Sequence, residues 1–128
     1  MSVSLKTAAG RLLKWNRKGR ELARPLRGDW IAVNVDTGKC TACKIGLVMI
    51  GRYGLNKARD YSNDTYGNGR LTEILRFGPV IVCPVRGCSE HPGPRRLGWT
   101  IEGLFEHHKW SVNRIDKWLA ELAEEDND

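Results

Sequence analysis

Residues 83–91 read Cys-Pro-Val-Arg-Gly-Cys-Ser-Glu-His and contain two of the four cysteines in the chain. The other two lie in the segment Cys40-Thr-Ala-Cys43. Structural zinc sites use four cysteine or histidine ligands, and paired ligands are usually separated by about two to four residues. If both segments bind one ion, the metal joins two distant parts of a short chain, and helices and short strands pack around it.

Six residues are candidate ligands for this ion: Cys40, Cys43, Cys83, Cys88, His91 and His108. His91 lies three residues after Cys88, and His108 shares a face of a predicted helix with Leu104. The spacing leaves open whether the fourth ligand is a cysteine or a histidine. A site with four protein ligands is closed to substrate, and the chain has no spacing typical of a metalloprotease, deaminase or nuclease. We therefore predict a structural zinc ion and no enzymatic activity.

Length and composition indicate a single soluble domain over residues 1–128. Hydrophobic residues make up 41% of the chain and charged residues 28%, and the length is typical of one domain. No apolar run approaches the roughly 20 residues of a membrane span, and the N-terminus lacks an apolar signal segment. We expect a cytoplasmic protein without membrane contact. In reducing cytosol cysteine pairs more often bind metal than form disulfides; two disulfides or unliganded thiols are the alternatives.

The basic residues are concentrated in the N-terminal third of the chain. The net charge is +6, and residues 1–39 carry nine Lys or Arg against three acidic residues, whereas every charged residue in 121–128 is acidic. A basic region is the surface expected of a nucleic-acid-binding protein. The alternative is a solvated basic face that keeps a small protein soluble.

Tryptophans lie among these cations. An aromatic ring can stack on a base while neighbouring cations neutralise phosphates, so Trp15 and Trp30 support a nucleic-acid interface. The alternative places these rings in the core, which is where we expect Trp99, Trp110 and Trp118. The predicted contact residues are Lys14, Trp15, Arg17, Lys18, Arg20, Arg24 and Arg27. The expected partner is nucleic acid or an acidic protein surface.

Apolar spacing predicts the elements of the N-terminal part of the chain. Leucines and alanines recur at helical spacing behind Ser4, which predicts an amphipathic helix over residues 4–16 with Ser4 as its N-cap. A second short helical piece at 19–24 should end before Pro25, because the residue before proline avoids the helical conformation. Residues 30–35 are rich in β-branched and aromatic side chains and predict a strand.

The middle of the chain contains a largely apolar run at residues 44–54. Its periodicity fits a buried helix or a strand, and we favour a helix. Glycine costs about 1 kcal/mol relative to alanine inside a helix, so Gly46 and Gly51 indicate close packing against another element. A short helix at 71–77 and a strand at 79–83 are also expected.

The C-terminal part carries the strongest helical pattern. Apolar residues recur at helical spacing over 100–123, with Thr100 as a possible cap. A break near residues 109–111, with Ser111 as the cap of the second helix, predicts a helical pair. An acidic tail follows at 124–128.

Residues 100–119 resemble the helix-turn-helix of DNA-binding proteins in their apolar spacing and in the pair Trp110-Ser111 at the turn. They differ from it at two positions. Phe105 stands where that motif has a small residue, and Lys109 stands where glycine usually makes the turn.

The chain also resembles a group of small uncharacterised phage and bacterial proteins. The shared blocks are Cys-x-x-Gly, here residues 43–46, Cys-Pro, here residues 83–84, and a terminal His-x-Trp-[Ser/Thr] block that begins at His108. The resemblance implies that Cys43, Cys83 and His108 form one cluster. It also implies a viral or mobile-element source, in which small accessory proteins commonly act by binding a host or defence component.

We predict an α+β fold, mainly helical, with short strands and a metal site that joins the two cysteine segments. The predicted function is binding of nucleic acid, or of a complex that contains it, through the cationic N-terminal surface. The alternative is a phage-type inhibitor or adaptor that binds a host or defence protein through an apolar and aromatic patch near the C-terminal helices.

Overall fold

The computed structural model of the protein describes residues 3–25, 31–33, 40–42, 44–62, 73–85 and 94–124. The helices are α1 (Leu5–Arg20), α2 (Lys44–Tyr53), α3 (Leu55–Ser62), α4 (Leu97–Glu106) and α5 (Val112–Glu124), and residues 73–75 are also helical. The strands are β1 (Arg24–Pro25), β2 (Ile31–Val33), β3 (Cys40–Ala42), β4 (Val80–Ile81) and β5 (Arg95–Arg96). The predicted mainly helical α+β fold is confirmed.

Helix α1 begins as the sequence predicts and ends later. The Oγ of Ser4 accepts a hydrogen bond from the backbone N–H of Thr7 at 3.2 Å, so Ser4 is the N-cap. The helix continues through Gly19 to Arg20. The prediction of a separate helical piece at 19–24 is therefore wrong. The chain leaves α1 through a short turn and enters β1.

Helices α1 and α2 cross at two glycines, one on each helix. A Cβ at Gly51 would overlap the carbonyl oxygen of Trp15, and a Cβ at Gly19 would overlap the carbonyl oxygen of Leu47. The backbones therefore touch without intervening side chains, and the two helices run in opposite directions. The predicted helix at 44–54 and the predicted close packing of Gly51 are confirmed.

In the described part of the chain, two small sheets accompany the helices. The first has the strand order β1-β3-β2, with β1 parallel and β2 antiparallel to β3. The second pairs β4 with β5 in antiparallel register, Val80 opposite Arg96 and Ile81 opposite Arg95. Strands were predicted at 30–35 and 79–83. Strand β2 occupies the described part of the first range, residues 31–33, and β4 covers residues 80–81 of the second.

The C-terminal pair of helices is confirmed, with its break at residues 107–111. Lys109 has a φ of 59°, so it adopts the left-handed turn conformation that glycine usually supplies. Ser111 caps α5, because its Oγ accepts from the N–H of Arg114 at 3.1 Å. Thr100 does not cap α4, which begins three residues earlier at Leu97; its hydroxyl donates to the carbonyl of Arg96 at 3.1 Å.

The core is formed by one face of α1, one face of α5, and helices α2 and α4, which are buried on nearly all sides. Helix α1 contributes Ala8, Ala9 and Leu12, while α5 contributes Ile115 and Leu119. The remaining buried apolar residues come mainly from α2 and α4. None of the helices in the described ranges is long and apolar enough to cross a bilayer.

Candidate functional site

Two of the six predicted metal ligands lie side by side. Cys83 follows β4 and His108 follows the end of α4; both are half-buried, and the Cys83 Sγ lies 3.7 Å from the His108 Nε2. On a tetrahedral zinc ion, bond lengths of about 2.3 Å to sulfur and about 2.0–2.1 Å to nitrogen place such atoms roughly 3.6 Å apart. The pair therefore has the separation of two ligands on one ion. A thiol–imidazole hydrogen bond has a similar length.

The other predicted ligands are less fully described. The backbone of Cys40 lies in β3, and its side chain is not described. Cys43, Cys88 and His91 lie outside the described residues. Within the ranges that are described, no group of three or more histidine, cysteine or acidic side chains is placed to hold a metal ion. The structure thus brings together two predicted ligands.

The end of β3 and the turn that carries His108 both lead to the N-terminal end of α5. Lys44 begins α2, two residues after the end of β3, and its ammonium group contacts Asp116 in the second turn of α5. His108 lies four residues before α5 begins. The end of β3, the start of α2 and the turn that carries His108 are therefore all connected to the N-terminal end of α5.

A buried polar cluster ties α1, α2 and α5 together at this end. The Nδ2 of Asn16 donates to both carboxylate oxygens of Asp116, at 2.7 and 2.8 Å, and the Lys44 ammonium donates to Oδ1. Arg20 donates to the Asp116 Oδ2 at 3.2 Å and to the Asn113 Oδ1 at 2.8 Å. The Oδ1 of Asn16 is buried without a hydrogen-bond partner. We call Asn16, Arg20, Lys44 and Asp116 the Asp116 cluster.

The side chain of Lys44 is fully enclosed, with 0% of its surface exposed. Burial lowers its pKa from 10.5 to about 8; the Asp116 carboxylate opposes this shift, and the charge of Arg20 adds a smaller lowering. Because water does not reach this amine, the cluster serves to hold three helices together. The cluster was not predicted from the sequence. Asn16 and Asp116 lie within the apolar stripes of their helices, and a polar residue at a stripe position is the sequence signal that indicates a buried polar contact.

Helix α1 exposes a stripe of cations on the side opposite its buried face. The exposed residues are Arg11, Lys14, Arg17 and Lys18, which we call the α1 basic face. Three of them line a shallow groove of about 370 Å³ together with Gly10, Leu13 and Glu21. Lys14 and Lys18 are four residues apart, so they lie one turn apart on the helix surface.

The remaining predicted contact residues have different surroundings. Arg20 is bound in the Asp116 cluster, and Arg24 is exposed in β1. Trp15 is half-buried: its ring meets Phe77 edge to face at 5.1 Å between centroids, and the Arg52 guanidinium lies 4.8 Å from its centroid. Arg27 lies outside the described residues.

Comparison of the chain with protein-family models, with curated proteins and with solved structures gives no match in any of the three.

Proposed function

We propose that this protein binds nucleic acid, or a complex that contains nucleic acid, through the α1 basic face. The observation that carries the proposal is the division of α1 into two faces. One face is buried and the four cations of the basic face are exposed; the buried residues are Ala8, Ala9, Leu12, Leu13, Asn16 and Gly19. The stripe runs from Arg11 to Lys18, about 10 Å along the helix axis.

An exposed row of cations favours binding to the phosphate backbone of nucleic acid. Lysine and arginine contacts to phosphate release bound counterions, so affinity depends steeply on salt, and they do not read the base sequence. Helix α1 is held rigidly by α2 and α5, which keeps the direction of these cations fixed. A contact with the acidic surface of a nucleic-acid-associated protein would use the same charges.

Removing the cations should weaken binding and its salt dependence together. In a variant with Lys14→Ala, Arg17→Ala and Lys18→Ala, the slope of log affinity against log salt should fall by about 2–3 units, since each phosphate contact contributes about 0.9 on duplex DNA. Fluorescence anisotropy with a labelled random-sequence duplex, titrated from low to physiological salt, measures this. Lys117→Ala is the matched control: Lys117 is exposed on α5, and its loss should leave the slope unchanged. Failure of the unmodified protein to bind at low salt would remove the proposal.

A structural zinc ion is the second part of the proposal. Cys83 and His108 would supply two ligands, and the other two would come from Cys40, Cys43, Cys88 and His91. The support is the 3.7 Å separation of the Cys83 Sγ and the His108 Nε2, together with the approach of β3 and the His108 turn to the same end of the helices. An ion there would hold β4 to the end of α4 without taking part in a reaction.

Metal content tests this part directly. We expect one zinc ion per chain by elemental analysis of protein purified without chelator. Cys83→Ser and His108→Gln should each lower zinc affinity by at least 10-fold, because each removes one of the ligands. His107→Gln is the neighbouring control, since His107 is exposed, and it should retain one equivalent. Full zinc occupancy with unchanged affinity in the Cys83→Ser protein would contradict the proposed ligand set.

An apolar patch favours a second candidate function. Val80 is 51% exposed, Val82 72% and Trp99 39%, all in or beside the β4–β5 sheet. A phage-type inhibitor or adaptor of a host or defence protein would use such a patch and would not need the α1 basic face. Retained binding of a protein partner by the triple α1 variant, together with no oligonucleotide binding by the unmodified protein, would favour this candidate.

A further inference from the structure

Trp99 lies in the first turn of α4 and is 39% exposed, which makes it the most exposed tryptophan among those described. We expected it in the core, and the structure corrects that prediction. Helix α4 follows directly after β5, and the two residues of that strand, Arg95 and Arg96, are both exposed. A large aromatic ring beside two cations therefore lies at the surface, in a part of the chain that is remote in sequence from α1.

This surface is connected to the α1 basic face through residues 77–78. Phe77 packs against Trp15 of α1. A Cβ at Gly78 would lie 3.1 Å from the Cβ of Ala8 and 3.0 Å from the Cβ of Leu97, so Gly78 sits between α1 and the start of α4.

Arg96 lies beside this junction. Arg96 donates from its guanidinium to the Gly78 carbonyl at 3.1 Å, which fixes the arginine beside the junction. Arg11 of the α1 basic face lies one turn beyond Ala8. The segments that carry Trp99 and the α1 basic face therefore meet at Gly78.

We propose that Trp99, flanked by Arg95 and Arg96, stacks on a base, and that single-stranded nucleic acid is accordingly the preferred ligand. The inference rests on the proposed function, because the α1 basic face supplies most of the phosphate contacts. Bases of a duplex are stacked on one another, whereas those of a single strand are free to stack on aromatic rings. Stacking is tolerant of sequence because every base has a π-face, which matches a surface that otherwise contacts phosphates.

The test compares three labelled 12-nucleotide probes: a single strand, the same strand in a duplex, and an abasic sugar–phosphate strand of equal length. The unmodified protein should bind the single strand more tightly than the duplex or the abasic strand. Trp99→Ala should weaken single-strand binding about 5- to 150-fold and leave abasic binding within about 2-fold. Trp99→Phe should restore most of the affinity, since phenylalanine keeps a stacking ring. Ribose and deoxyribose versions of each probe show which sugar is preferred.

The controls separate stacking from folding and from apolar contact. Leu22→Ala removes an exposed apolar side chain near the other end of α1, 52% exposed, and should leave all affinities unchanged. Equal losses for the normal and abasic strands in Trp99→Ala would overturn stacking, as would a loss in Val82→Ala as large as that in Trp99→Ala. If Trp99→Ala has no effect while the triple α1 variant weakens binding, this inference fails and the proposed function stands. If the unmodified protein binds none of the probes at low salt, the proposed function itself fails.

Discussion

Asp116→Ala is expected to lower the free energy of unfolding by about 3–5 kcal/mol at pH 7, the usual cost of removing one partner of a buried ion pair. The substitution leaves the Lys44 ammonium enclosed without its counterion. It also removes the acceptor of both hydrogen bonds from the Nδ2 of Asn16. Urea denaturation of the variant and the unmodified protein measures the difference.

The same variant should show a changed dependence of stability on pH. The pKa of Lys44 is about 8 in the folded protein against 10.5 for the ordinary lysine. Between these values the unfolded state binds more protons than the folded state, so Lys44 makes the free energy of unfolding rise with pH, by up to about 1.4 kcal/mol per unit. Below pH 8 the lysine is charged in both states and adds no slope. Without Asp116 the folded pKa falls further, so the rising limb should begin below pH 8.

A double substitution gives the control for this prediction. Lys44→Met with Asp116→Leu removes both charges and fills the space with apolar side chains. Replacements of this kind are often neutral or stabilising, so we expect the double variant to unfold at a higher urea concentration than Asp116→Ala. Its free energy of unfolding should also lack the rise above pH 8 that Lys44 causes. If Asp116→Ala lowers the free energy of unfolding by less than about 1 kcal/mol, the buried Lys44 ammonium does not need this carboxylate as its counterion.

Local patterns were sufficient to predict most of the helices. The apolar stripe behind Ser4 and the pattern at 100–123 each predicted a helix, because burying one face produces that spacing. The run at 44–54 fits a helix or a strand by its periodicity, and the favoured helix is present. The caps at Ser4 and Ser111 follow from side chains that accept backbone hydrogen bonds, which is again local chemistry. These features need no knowledge of which elements pack together.

The failures occurred where a distant element decides local structure. The predicted helix ended at residue 16 and a separate piece was predicted at 19–24, yet α1 continues to Arg20, where Gly19 packs on the backbone of Leu47, 28 positions further along the chain. Thr100 looked like a cap, yet α4 begins earlier because the N–H of Leu97 donates to the carbonyl of Pro79. Trp99 was assigned to the core from its residue type alone. Its exposure depends on how α4 follows the β4–β5 sheet.

The candidate sites show the same difference between features that depend on nearby residues and features that depend on distant ones. The cations of α1 were predicted because charge and helical spacing are visible in the sequence. The juxtaposition of Cys83 with His108 was expected from the resemblance to phage and bacterial proteins, and their side chains are close in the structure. The Asp116 cluster was not expected, since it joins residues 16, 20, 44 and 116 from three helices. Pairings of that kind depend on the crossing of α1 with α2 and α5.

The crossing of α1 with α2 leads to the second prediction with a large effect. Substitution of glycine by alanine should have opposite effects on the free energy of unfolding at two positions. Alanine is favoured over glycine inside a helix by about 1 kcal/mol. At Gly10 the nearest obstacle to a Cβ is the Cβ of Ala123 at 3.9 Å, an ordinary contact, so Gly10→Ala should stabilise the protein by about 0.5–1 kcal/mol.

At Gly51 the same methyl group would meet the backbone of Trp15. A Cβ there would overlap the Trp15 carbonyl and lie 2.8 Å from the Trp15 Cα. A backbone cannot rotate away as a side chain can, so α1 and α2 must separate, and the helices that meet at the Asp116 cluster must separate with them. Overpacking usually costs about 1–3 kcal/mol, and we expect Gly51→Ala to reach about 3 kcal/mol or more. Thermal and urea unfolding measure the stability of both variants. A Gly51→Ala protein as stable as the Gly10→Ala protein would show that α1 and α2 do not cross at this point.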